Sequence, residues 1–194
     1  DVDNVSIHKG PMSLLYGSDA IGGVVEILPS SPPKDNGFWG DVSLIGKSNN
    51  DLLGTSVSAN IKQNKWLLKA RFTTQYYGDY CIPADTIVYL TWQMPVEKRR
   101  MKNTAGREHN ASFSATYRSD KLAWTLYLSD VYAKNGFFPG SHGIPDLSRL
   151  RNDGSYRNIE MPYSSVNHFK AISNTALSFD KGKLMLDVGF QQND

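Results

Sequence analysis

Four histidines (His8, His109, His142 and His168) and one cysteine, Cys81, are the first residues to weigh for chemistry. No two histidines stand at the i, i+4 spacing of a zinc pair, and a lone cysteine excludes a cysteine cluster or an internal disulfide framework. A loop imidazole such as His142 is able to ligate haem iron, but a wet surface histidine is the simpler reading. Ser141-His142 and Ser164-Ser165 lack a Gly-x-Ser-x-Gly elbow and a partner carboxylate, so no nucleophilic enzyme is expected. Asp79, Asp85, Asp146 and Asp153 are potential oxygen ligands, but their spacing is not that of a calcium-binding helix-loop-helix. No metal and no cofactor is expected. Gly22-Gly23 opens an apolar strand-like run instead of a helix, which rules out a Walker loop and a dinucleotide fingerprint.

Two further groups suit binding. Lys98-Arg99-Arg100-Met101-Lys102 is the single basic run, a candidate for phosphate contacts or simply a solvated loop. Tyr80, Trp92, Phe137, Phe138, His142 and Tyr156 form a loop set that suits a flat or amphipathic ligand. Across 194 residues, 21 Lys plus Arg against 19 Asp plus Glu leave a charge of +2, so nucleic acid is a poor partner. No apolar run approaches the roughly 18 to 20 residues of a membrane-spanning helix. Asp1-Val2-Asp3-Asn4 has neither the basic start nor the apolar core of a signal peptide.

The elements that must position these residues announce themselves by a period of two. Leu53, Thr55, Val57, Ala59 and Ile61 alternate with Gly54, Ser56, Ser58 and Asn60. Comparable runs follow from Trp66 to Tyr76, Ala111 to Tyr117, Leu122 to Leu128 and Leu184 to Phe190. With less regular strands near 38–47 and 168–180, the spacing predicts seven strands in an all-β, antiparallel up-and-down meander. Tight turns at Asn64-Lys65, Ser119-Asp120-Lys121 and Asp180-Lys181-Gly182 fall at one end. A short link at 48–51 and two long loops, 78–107 and 134–167, fall at the other. Sorting loops by length in this way, with strands of about ten to twelve residues, is the habit of a transmembrane β-barrel. Trp39, Trp66, Tyr76, Tyr77, Tyr117, Phe169, Phe179 and Phe190 are placed to form its aromatic girdles. The alternative is a soluble β-sandwich ligand-binding module with these rings in its core.

The glycine-rich start narrows the choice. Lys9-Gly10-Pro11, then Tyr16-Gly17, then Gly22-Gly23 and the apolar Val24-Val25-Glu26-Ile27, resembles the closing stretch of the plug of TonB-dependent outer-membrane receptors. The match is tight over about 20 residues, and the order plug end, proline-rich linker, alternating strands is also the family's. Its wording is similar to receptors for vitamin B12, catecholate siderophores of the colicin I type, and haem. It lacks the Asp and the Ala-Asn-Gly of the polysaccharide-import branch. Lys9 stands where the family commonly has an Arg of an ion-pair lock between plug and wall. A lysine cannot form the same bidentate fork to a carboxylate.

The resemblance implies residues 1–33 as the end of a plug domain with its linker, and 34–194 as the first strands of a barrel. It implies a receptor in the outer membrane of a Gram-negative cell, importing an iron chelate, haem or cobalamin with energy from the TonB complex, which would act through a region outside this chain. Outer-membrane lipid and lipopolysaccharide would surround the wall. Family barrels have about 22 strands, so the chain is expected to be an internal piece that, alone, aggregates, pairs with copies or needs detergent.

Overall fold

The computed structural model describes residues 2–11, 17–18, 20–29, 33–141, 147–151 and 154–194. The chain divides into two compact units, Asp1–Asn36 and Gly37–Asp194, with the boundary just past the proline-rich linker.

In the first unit, β1 (Val2–Lys9) pairs antiparallel with β2 (Gly23–Pro29), with Ile7 opposite Val25 and Lys9 opposite Gly23. Gly23 has a φ of +142°, and a Cβ there would stand 2.5 Å from the His8 carbonyl oxygen, so only glycine lets the two strands close. Gly17 has a positive φ of +96°, and its carbonyl accepts from the Ala20 N–H at 3.2 Å.

The second unit is built on one antiparallel sheet of seven strands. In chain order they are β3 (Gly37–Lys47), β4 (Leu52–Gln63), β5 (Trp66–Tyr77), β8 (Gly106–Arg118), β9 (Leu122–Gly136), β10 (Tyr163–Phe179) and β11 (Gly182–Asn193). Each pairs with the next, so the sheet is an uninterrupted meander with β3 and β11 as open edges. Between β5 and β8 lies a small hairpin, β6 (Thr86–Tyr89) with β7 (Trp92–Pro95), which the sequence pattern does not reveal. Leu90 turns it with a φ of +57°.

The strands outrun their apolar alternation. β9 continues through Ala133-Lys134-Asn135, and β10 starts five residues before His168, because ladder pairing persists where apolar and polar residues no longer alternate cleanly, with Val166 opposite Ala133 and Ser165 opposite Lys134. The long connections are correspondingly shorter than expected, 78–105 and 137–162. Both, together with the 48–51 link, lie at the end of the sheet opposite the tight turns.

Register makes the two faces explicit. The row Asp41, Ser58, Arg71, Ser112, Ser129, Lys170, Gln191 crosses all seven strands and is polar throughout. One residue along each strand, Gly40, Ala59, Ala70, Phe113, Leu128, Ala171, Phe190 crosses the opposite face without a polar side chain. The apolar face is left open: Val57 is 43% and Phe72 48% accessible, while on the polar side Ser58 and Asn60 of β4 are 6% and 3%, Tyr127 and Val131 of β9 are exposed, and the edge strands β3 and β11 are exposed on both sides. A domain that buried its sheet against a second layer would show the reverse. On the polar face Arg71 reaches Asp41 at 3.2 Å and Ser56 at 3.1 Å, and Ser58 donates to Asp41.

Aromatic side chains gather at both ends of the apolar face. Near the tight turns Trp66 packs on Tyr117 at 5.0 Å and on Trp124 at 6.1 Å. Near the long connections His109 lies between Tyr76 at 5.2 Å and Tyr132 at 5.9 Å. Trp39 and Tyr77 leave the expected girdle set, because register puts both on the polar face: Trp39 is opposite Asn60, and the Tyr77 hydroxyl donates to Asn135 at 2.6 Å. Among the described residues no helix is long and apolar enough to cross a membrane, which says nothing of strands.

Candidate functional site: the platform of long connections

The three connections at the far end of the sheet are clamped into one body. The Gly78 N–H donates to Asn50, the Cys81 N–H to Asn49, and the Asp79 N–H to Tyr156, at 2.7, 3.1 and 2.7 Å. Arg100 spans the same groups, donating to the Asp51 carboxylate at 2.7 Å and the Asp79 carbonyl at 3.1 Å, with its guanidinium 4.2 Å from the Tyr156 ring centre. Burial works against the Arg100 charge, but the Asp51 contact outweighs it and the pKa rises above the ordinary arginine value. Arg157 donates to the Asp51 carbonyl at 2.8 Å.

Asn103 joins the two long connections. It is fully buried and has a φ of +61°, a left-handed conformation that asparagine tolerates better than most residues. Its amide donates to the carbonyls of Phe137, Glu160 and Pro162 at 2.9, 3.0 and 2.8 Å. Its Oδ1 accepts the Glu160 N–H at 2.7 Å. Asp79 fixes the next residues, with Oδ1 accepting from the Thr104 and Ala105 N–H groups at 2.7 and 3.0 Å. Burial pushes the Asp79 carboxyl above the usual carboxylate range, because those N–H bonds and the charge of Lys102 offset it only in part.

The expected binding aromatics separate into two groups. Phe138 lies in a small apolar core with Met94 and Leu150, against which Ile87, Tyr89 and Met101 pack. It holds the platform together and does not present a ring to solvent, for the ordinary reason that a loop body of this size needs a core of its own. Tyr80, Trp92, Phe137 and Tyr156 keep more than a third of their surface exposed. Tyr80 stacks on Tyr77 at 6.4 Å, and Tyr156 sits on Gly78, where a Cβ would come within 2.7 Å of its ring. Trp92 opens β7, and Phe137 follows the end of β9. His142 lies outside the described residues.

The basic run is not one patch. Lys102 is buried against Glu160 at 3.5 Å and Arg100 is spent on Asp51, which leaves Lys98 and Arg99 at its open end. Asp79 is likewise occupied by backbone donors, and Asp146 and Asp153 lie outside the described residues.

The glycine motif of the first unit folds back on itself. Lys9 faces Gly23 across β1 and β2, and the Gly10 N–H points to the Gly22 carbonyl at 3.4 Å, so the two ends of the motif meet. Lys9 is exposed, Pro11 and Gly17 flank the intervening segment, and Tyr16 lies outside the described residues. No family model and no curated protein matches the chain.

Sequence reasoning did not single out Asn103, Arg100 or Asp51 as a clamp. Asn103 carries one local signal, an asparagine in a polar turn, and its partners lie more than thirty residues away.

Proposed function

We propose that the chain is part of a TonB-dependent outer-membrane receptor, with residues 1–33 as the end of its plug and the seven-stranded sheet as a section of its barrel wall. The observation that carries this reading is the continuous apolar face of the sheet, exposed from Leu44 and Val57 through Phe72 and Phe113 to Leu186 and Phe190, opposite a row that is polar across all seven strands. Such a face suits hydrocarbon, and the polar face suits a lumen that surrounds a plug. The aromatic clusters support it. From Trp66 to Tyr76 is about 33 Å along the strand, or about 25 Å along the membrane normal at a barrel's usual tilt, the height of an outer-membrane apolar band.

On this reading the platform of long connections faces outward and captures a scarce nutrient: an iron chelate, haem or cobalamin. Tyr80, Trp92, Phe137 and Tyr156 offer ring faces for a flat or amphipathic ligand on a surface held rigid by Asn103, Asp79 and Arg100. A preorganised surface of this kind spends less binding energy on ordering its loops. Transport then follows from movement of the plug, driven by the TonB complex, and no covalent bond is made or broken. The motif at Lys9 to Gly23, with its glycine-dependent closure, is the support for the plug assignment.

Gel mobility of the full-length protein tests the barrel. A closed barrel resists SDS until boiled, so unboiled and boiled samples should migrate differently, and identical migration would overturn the reading. Titration of the same protein with haem, cobalamin and ferric siderophores then identifies the ligand class, and no response to any of them would remove the nutrient assignment.

A further inference from the structure

A second, cationic site lies at the outer end of the apolar face. Tyr76, Arg107 and Lys134 are register partners across β5, β8 and β9. They therefore share a face with Phe72 and Val57, and they lie one same-face step beyond His109 and Tyr132 toward the long connections. Arg157, Asn158 and Ile159 complete a cleft of about 320 Å³ with them, lined also by Tyr77 and Gly106.

Three cations thus converge on one cleft. Among the described residues none of the three is ion-paired with a carboxylate. Lys134 rests 4.1 Å from the Tyr163 ring centre, and Arg157 is anchored through the Asp51 carbonyl. Clustered like charges repel, and such a grouping is favourable once an anion joins them.

We propose that Arg107, Lys134 and Arg157 bind the phosphate of a membrane lipid headgroup. The inference rests on the membrane reading above. It singles out a lipid over a soluble anion because Tyr76, Arg107 and Lys134, which line the cleft, belong to the apolar face. A phosphate held there leaves its acyl chains along the band formed by Phe72, Val57 and Phe113. The aromatic cluster of Tyr76, His109 and Tyr132 sits where rings mark the boundary between hydrocarbon and headgroups, and the cations are level with Tyr76, one step beyond His109 and Tyr132. The volume accommodates a phosphate with part of the glycerol or sugar that carries it.

The test uses the full-length protein in detergent micelles, with native mass spectrometry counting retained lipid. Phosphatidic acid, diacylglycerol and inorganic phosphate serve as probes. The wild type should retain phosphatidic acid and not diacylglycerol, and R107Q/K134Q/R157Q should retain it about a hundredfold less well, roughly fivefold for each cation. R107Q/K134Q, which leaves the Arg157 bond to Asp51 intact, should fall between them, and K134R should bind as the wild type does. Competition by inorganic phosphate at concentrations comparable to the lipid would overturn the lipid assignment. Equal retention by wild type and triple variant, in protein whose unboiled mobility still marks a closed barrel, would overturn the site and spare the barrel. Loss of heat-modifiable mobility in the wild type would instead remove the membrane reading on which the site depends.

Discussion

The side chain of Asn103 and the backbone of Glu160 exchange two hydrogen bonds, Oδ1 accepting the Glu160 N–H at 2.7 Å and Nδ2 donating to the Glu160 carbonyl at 3.0 Å. An amide side chain thereby takes the place of a strand neighbour and ties one long connection to the other without a sheet. Gly136 is part of the same arrangement, since a Cβ there would stand 2.5 Å from both the carbonyl oxygen and Oδ1 of Asn103.

Replacing Asn103 by Ala should therefore leave the Glu160 N–H and the Glu160 carbonyl without this partner, at a cost of about 1–3 kcal/mol for each group left buried and unpaired. Hydrogen exchange should report faster opening at Glu160 and across 137–162, with the strand amides of β4 and β5 unchanged. Gly136→Ala should produce the same pattern by displacing Asn103. Unchanged exchange at Glu160 in either variant would show that the connections are held by other contacts.

Asp79 predicts a pH dependence with a definite sign. Its folded-state pKa is raised by burial, so the folded platform holds the proton more tightly than the unfolded chain does. Its contribution is fully present below the ordinary carboxylate range and is lost as pH rises through the raised value. Exchange protection at Thr104 and Ala105 should fall over that window, and Asp79→Asn, which keeps an oxygen acceptor and cannot ionise, should remove the dependence. Asp79→Ala should weaken protection at every pH, at about 1–3 kcal/mol, because two N–H groups lose their acceptor. A wild-type profile that improves with rising pH would contradict the assignment.

The meander was legible in the sequence because alternation survives in five of its strands and the tight turns carry the residues that hairpins need. That the apolar face stays open was not legible from alternation alone, since a period of two has the same form whichever side meets solvent. Loop lengths, strand lengths and the aromatics near strand ends carried the hints. Trp39 and Tyr77 show the limit of placing a girdle by position along a strand: one residue of register sends a ring to the other face. The β6–β7 hairpin is too short to establish a period. The Asn103 clamp depends on partners far away in sequence, which no local pattern encodes.

The two faces predict opposite responses to charge. Phe72 and Thr73 are neighbours in the middle of β5, one on each face. In a barrel wall Phe72→Arg places a cation against hydrocarbon and should cost about 2–4 kcal/mol, whereas Thr73→Arg joins the polar face at little cost. Denaturant unfolding of the full-length protein from lipid bilayers measures both. Comparable losses would mean that the two faces meet similar surroundings, and the wall assignment would fail.

The four tryptophans separate lipid contact from exposure in general. Trp66 and Trp124 belong to the aromatic cluster of the apolar face, Trp39 lies on the polar face, and Trp92 stands on the β7 hairpin. Trp66, Trp92 and Trp39 are all more than a third exposed, so accessibility does not distinguish them. Lipid contact does. In bilayers with brominated acyl chains, Trp66→Phe and Trp124→Phe should each remove part of the quenchable fluorescence of the full-length protein. Trp39→Phe and Trp92→Phe should remove only emission that bromine does not reach, and a soluble quencher should act most on Trp92. Rings at the edge of an apolar band sit at the headgroup level. Quenching should therefore be stronger with bromine near the ester linkage than near the chain terminus, and the reverse order would place Trp66 and Trp124 deeper than a girdle allows.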